Sequence, residues 1–219
     1  MPCISRPNPL ANQRHVGYLT GPSMRRPILI ARVVAWKMHP QGGRSMQERE
    51  GVRQLPKMEN HLCFGCGPAN EHGLNMQFYG NGASIMSWVT VPGHLCGWNN
   101  LVHGGIISTL LDEIMSSSVV YVLQAMGMTR SMSLDFIQPV YAGREIKVQS
   151  RILEVKNGRE ATVEGILSNE NGEICAKSTG TYILFSPEKI RKMGIITDDV
   201  VGWFEHFIQG REVSGQGAA

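Results

Sequence analysis

The chain lacks any run of about 18 uninterrupted apolar residues, the least that spans a bilayer as a helix, so nothing in it reads as a membrane segment. It has few charges, 18% of 219 residues, and few aromatics, 7%, against 42% hydrophobic residues. That balance belongs to a globular chain with a real core and excludes an extended disordered one. Its 25 glycines follow no period and no segment recurs, which excludes collagen-like and repeat architectures. Acidic residues are missing altogether from positions 1–47, which hold seven basic side chains. The other 14 basic and 18 acidic residues leave the remainder at −4, so the +3 total belongs to the leader. A nucleic-acid partner, which needs a basic folded face, is therefore not expected. Five cysteines are too few and odd in number for a disulfide framework, which points to a reducing compartment and a cytoplasmic location.

Three segments differ in texture. Residues 1–57 contain six prolines before position 41 and sustain no apolar period; they are expected to be a disordered or non-native N-terminal extension. Residues 58–186 carry ordered punctuation. Leu74–Phe78 alternates, Gly80-Asn-Gly82 turns, and Ile85–Val91 reads as a strand. A long helical pattern follows from Gly104 to Gln124, then a strand from Ser131 to Ile137. A meander of Glu145–Val155, Glu160–Ser168 and Glu173–Leu184 comes next, with Asn157-Gly158 and Asn171-Gly172 predicting type I′ turns. Residues 187–219 read as a helical appendage with a frayed end. Ser186-Pro187 is expected to cap its first helix and Gly210 to stop its second. One helix among five to six antiparallel strands predicts an α+β domain, with the helix wrapped by one curved sheet.

On a helical wheel, Ile106, Ile107, Leu110, Leu111, Ile114 and Met115 fall on one half, the expected sheet-facing side. Gly104, Ser108, Asp112 and Ser116 form a second stripe at i, i+4 spacing, small residues around one carboxylate. A solvated face would carry Lys and Glu instead. Asp112 reads either as a working carboxylate or as a helix Asp satisfied by a neighbouring hydroxyl. His103-Gly104-Gly105 places two glycines at a helix N-terminus, where free N–H groups and the dipole favour an anion or a developing oxyanion. A glycine-eased helix start with a capping His is the plainer alternative.

The run Asn100-Leu-Val-His-Gly-Gly-Ile-Ile-Ser-Thr-Leu-Leu-Asp-Glu113 resembles the signature of hotdog-fold acyl-CoA thioesterases of the PaaI-like type. Cys63-Phe-Gly-Cys-Gly67, followed by Gly73-Leu74, resembles the opening of one branch of that family. The resemblance covers about residues 60–185. It implies that Asp112 is the catalytic carboxylate, as nucleophile or as general base on water. It implies that the Gly104 N–H polarises the thioester carbonyl and that His103 shapes this turn. Thr129, ten residues before Pro139, matches a Ser/Thr that positions water or the carboxylate. Asn100, Gly105 and Ser108 are the expected substrate contacts. Some relatives carry Asn six residues before the His, where this chain has Gly97.

Gly104 and Asp112 are eight residues apart, about 12 Å along one helix, so one carbonyl carbon cannot touch both. The resemblance implies that they meet across a two-fold axis, in a homodimer or a dimer of dimers. His61-x-Cys63-x-x-Cys66 offers a zinc-like fragment, but no second Cys-x-x-Cys pair follows at finger spacing. Packed thiols are expected there, with no metal and no cofactor. The leading expectation is hydrolysis of an acyl-CoA. An acyl-CoA hydratase or dehydratase and a non-catalytic acyl-CoA binding module are the alternatives.

Overall fold

The computed structural model describes residues 51–214. Its elements are β1 (Arg53–Gln54), β2 (Tyr79–Gly80), β3 (Ser84–Thr90), α1 (Gly104–Tyr121), β4 (Met126–Phe136), β5 (Glu145–Lys156), β6 (Glu160–Ser168), β7 (Ile174–Phe185), α2 (Pro187–Met193) and α3 (Asp198–Ser214). All strand pairs are antiparallel, in the order β1-β2-β3-β5-β6-β7-β4. The expected α+β architecture is present, with five long strands and two short ones on one sheet. Ile107, Leu110, Leu111, Ile114 and Met115 are buried on α1, and Val148, Ala161, Val163, Leu167 and Tyr182 of the sheet join them in one core. At about 1.5–3 kcal/mol per buried aliphatic side chain, this face fixes how α1 is rotated. No helix among the described residues is long and apolar enough to cross a membrane.

Local chemistry explains the turns. Asn157 and Gly158 have φ of 52° and 62°, the left-handed pair that a type I′ hairpin requires. The Asn171-Gly172 expectation is corrected, because only Gly172 has positive φ, 81°. The Asn169 carboxamide accepts the N–H groups of Asn171 and Glu173 and closes a longer turn in its place. Leu74–Phe78 is not a strand; pairing starts only at Tyr79. β4 begins five residues ahead of the expected Ser131 and has a register shift between Thr129 and Ser131. This bulge breaks the period-2 alternation on which the sequence expectation rested. As the last strand in the order, β4 pairs among the described residues with β7 on one side only, and its end presents Phe136 and Ile137 more than half exposed.

Both flanks of the expected 58–186 core contribute to packing. Val52 and Leu55 are buried, the Leu55 N–H donates to Phe78 O, and Tyr121 Oη donates to Pro56 O at 2.6 Å. The packed body therefore begins ahead of residue 58. Residues 1–50 of the expected extension lie outside the described residues. At the other end, Ser186 caps α2 by accepting the Lys189 N–H, and Gly194 closes it with φ of 64°. Helix α3 runs through Gly210 to Ser214, past the expected stop. Ile190, Val201 and Phe204 bury themselves against Met126, and Phe207 meets the Tyr121 ring edge-on at 5.1 Å. The terminal helices thus cover one end of α1 and the start of β4. Phe204→Ala is expected to cost about 3–5 kcal/mol in chemical denaturation, as for any core aromatic; a loss under about 0.5 kcal/mol would make α3 an independent appendage.

Candidate functional site

The start of α1 is held by a tight loop. The His103 N–H donates to Leu95 O, the Val102 N–H to Val140 O, and Leu101 bridges Tyr141. His103 is the N-cap, with extended backbone, and its Nδ1 accepts the Gly105 N–H at 2.9 Å. A neutral ring in this role carries its proton on Nε2. The two expected glycine donors therefore differ. The Gly105 N–H is occupied, while the Gly104 N–H takes no partner among the described residues. A side chain on Gly104 would lie 3.4 Å from the Phe136 ring, so the end of β4 borders this position. Gly97 leaves room for the His103 ring, which a β-carbon there would meet at 3.3 Å.

Two turns along, Asp112 is half-buried and its Oδ1 accepts two hydroxyls. Thr129 Oγ1 donates at 2.8 Å and Tyr182 Oη at 3.0 Å, the latter also 3.3 Å from the Asp112 carbonyl. Thr129 and Tyr182 are cross-strand partners on β4 and β7, which is why they reach the same oxygen. The bulge at Arg130 makes this possible. Met132 and Leu134 pack on the core, and plain alternation would send an odd-numbered residue outward; the slipped register turns Thr129 back toward α1. Gly180 clears the path of the Tyr182 ring, which a β-carbon at that position would meet at 2.9 Å. Burial and the neighbouring Asp112 carboxylate push the Tyr182 hydroxyl well above the usual tyrosine range, so it stays protonated as a donor. The Asp112 Oδ2 takes no hydrogen bond among the described residues.

The structure thus brings Thr129 to Asp112 and His103 to Gly105. Ser108 spends its hydroxyl on Gly104 O at 2.9 Å, inside the helix. Asn100 is exposed in the loop, where its carbonyl accepts the Ala142 N–H. Neither Asn100 nor Ser108 hydrogen-bonds to Asp112 or Thr129. Tyr182 was not foreseen, although Ala176, Ser178, Gly180 and Tyr182 alternate with Lys177, Thr179 and Thr181 in a period-2 pattern that puts it on the buried face.

The carboxylate next in sequence faces elsewhere. Cys63 Sγ and Glu113 Oε1 are 3.1 Å apart and share a hydrogen, and the Cys66 thiol completes a triangle with them. Burial pushes the Glu113 carboxyl up to about 8. Hydrogen bonding between the thiols lowers Cys63 and raises Cys66. The cluster lines a cavity of about 250 Å³, walled otherwise by Tyr121, Met126, Trp203 and Phe204.

Because Thr129 and Tyr182 share one acceptor oxygen, their removal should not be additive. Thr129→Val and Tyr182→Phe are expected to couple by about 0.5–1 kcal/mol or more in a double-mutant cycle read by denaturation. Additivity within about 0.3 kcal/mol would mean that Asp112 does not bind both hydroxyls at once.

Comparison with known proteins bears on these residues. Residues 99–176 match the family model of the thioesterase superfamily. An uncharacterized protein of Schizosaccharomyces pombe is 32% identical over 101 residues, 44% of this chain and 56% of that one. The acyl-coenzyme A thioesterase THEM4 of Xenopus laevis is 22% identical over 156 residues, 69% of each. A crystal structure of a thioesterase superfamily protein superposes with a TM-score of 0.52 at 23% identity, over 56% of this chain and 60% of its own. The chain spans little more than half the length of the yeast relative. The matched segment holds His103, Gly104, Asp112 and Thr129, and the superposition shows the fold. Residues 99–176 thus resemble the thioesterase superfamily, and the fold is the hotdog fold of the superposed thioesterase superfamily protein.

Proposed function

We propose that the protein hydrolyses an acyl-CoA thioester to the free acid and CoA, with Asp112 as general base on water. The observation that carries this reading is the divided carboxylate of Asp112. Oδ1 is fixed by Thr129 and Tyr182, while Oδ2 is left to accept a proton from water. A base held by two donors keeps its orientation without reorganising during the reaction. Water gives its proton to Oδ2 as its oxygen attacks the thioester carbon. The carbonyl oxygen gains negative charge, which a free N–H at a helix N-terminus stabilises. Collapse breaks the C–S bond, and the proton held by Asp112 leaves with the products.

The N–H for that oxyanion is Gly104 of a second copy, because within one helix Gly104 lies about 12 Å from Asp112. The free edge of β4 supports such an assembly. Eleven residues long and, among the described residues, unpaired on its outer side, it is a template for a second strand, and Phe136 beside Gly104 is 58% exposed. Two copies joined along β4 by a two-fold axis form two equal sites, each with a base from one chain and an N–H from the other.

The test is release of free thiol from a panel of acyl-CoAs. Asp112→Asn is expected to lower kcat by at least ~10²-fold with unchanged circular dichroism, and Thr129→Ala by about tenfold, since it positions the base and does not react. Wild-type turnover by folded Asp112→Asn would remove Asp112 from the reaction.

A further inference from the structure

We infer that Cys63, Cys66 and Glu113 form a site for one divalent cation of the zinc class, with its fourth position open to the cavity under the terminal helices. The ligating atoms of these three residues all lie within 4.8 Å of one another. A tetrahedral zinc, with bonds of about 2.3 Å to sulfur and 2.0 Å to oxygen, separates its ligands by about 3.5–3.8 Å, so only small movements are needed. Thiolate sulfurs with one carboxylate oxygen suit zinc over the harder magnesium and calcium.

The backbone is already shaped for this. Cys63-Phe-Gly-Cys-Gly67 folds into a tight bend in which the Gly67 N–H donates to Cys63 O at 2.9 Å. Both glycines are required by space. A β-carbon on Gly65 would lie 2.1 Å from Glu113 Cγ, and one on Gly67 would lie 2.3 Å from His61 O. The bend is thus pressed against the Glu113 side chain, and a cation there would tie the 58–76 segment to α1.

Charge agrees with the assignment. Two thiolates, one carboxylate and a divalent cation sum to −1, and Lys57 lines the same cavity, with its Nζ donating to Asn75 Oδ1. His61 lines the cavity too but lies outside the three-residue cluster, so the fourth position is left to water or to a ligand from the cavity. The site is separate from the proposed hydrolytic machinery. Asp112 turns to β4 and β7, whereas Glu113 turns to the Cys-Gly bend. Sequence spacing favoured packed thiols because no second cysteine pair follows; the third ligand comes instead from the helix, 47 residues after Cys66.

The experiment is metal content after zinc is supplied to the full chain under reducing conditions and the excess is dialysed away. About one zinc per chain is expected, with a zinc-dependent rise in thermal midpoint. Cys66→Ser and Glu113→Gln should retain zinc at least about tenfold more weakly. Cobalt(II) added to the metal-free wild type should give a thiolate-to-metal charge-transfer band and the visible bands of a tetrahedral site, a readout that needs no variant to fold. Less than about 0.1 zinc per wild-type chain with no cobalt band would overturn the site. So would full zinc retention by Cys66→Ser, or a Cys63–Cys66 disulfide found by peptide mapping in its place.

Discussion

Helix α1 has to bury one side against the sheet and still satisfy two consecutive carboxylates at its middle. An unpaired carboxylate away from water is costly, and neither Asp112 nor Glu113 has a cation within ion-pair distance among the described residues. Their directions differ by about 100° around the helix, so they settle in different surroundings. Asp112 meets two hydroxyls from adjacent strands, both on Oδ1. Glu113 meets two thiols and is pushed by burial toward its protonated form. The bulge in β4, the glycine beside Tyr182 and the glycines flanking Cys66 all serve these two residues.

Much of this was legible in the sequence, for reasons that separate local from distant interactions. The 3.6-residue period gave the rotation of α1, Asn157-Gly158 gave a hairpin, and Ser186-Pro187 gave a helix start, because each is decided within a few residues. Asn171-Gly172 misled because Asn169, two residues earlier, offered its side chain to the same N–H groups. Tyr182 and Glu113 carry no local mark of their role. Tyr182 matters because it lies opposite Thr129 across a strand pair, and Glu113 because a bend 50 residues earlier folds back on it. The same distance effect hid the packing of Val52, Leu55 and Phe204. Thr129 was found through family resemblance; the bulge that turns it inward defeats alternation.

What the single chain leaves incomplete is as informative as what it builds. It has a fixed carboxylate with one free oxygen and, about 12 Å away on the same helix, a free N–H at a helix N-terminus. Among the described residues it also has a long strand with one unpaired edge, next to that N-terminus. Two copies related by a two-fold axis would close all three gaps at once. Gly104 suits a test of this geometry. It is the first residue of α1, where proline is tolerated, and His103 before it already has the extended backbone that a proline requires of its predecessor.

The most direct measurement mixes two chains that are each expected to be inactive, Asp112→Asn and Gly104→Pro, the second lacking the N–H at the helix start. Circular dichroism and sedimentation first establish that both fold and associate. In a mixed dimer one site collects both defects and the other collects neither. Random exchange makes about half of the dimers mixed, each with one intact site, so thiol release should recover to about a quarter of wild type. If the two chains exchange subunits and no activity returns, Asp112 and Gly104 do not share a site, and the proposed mechanism fails.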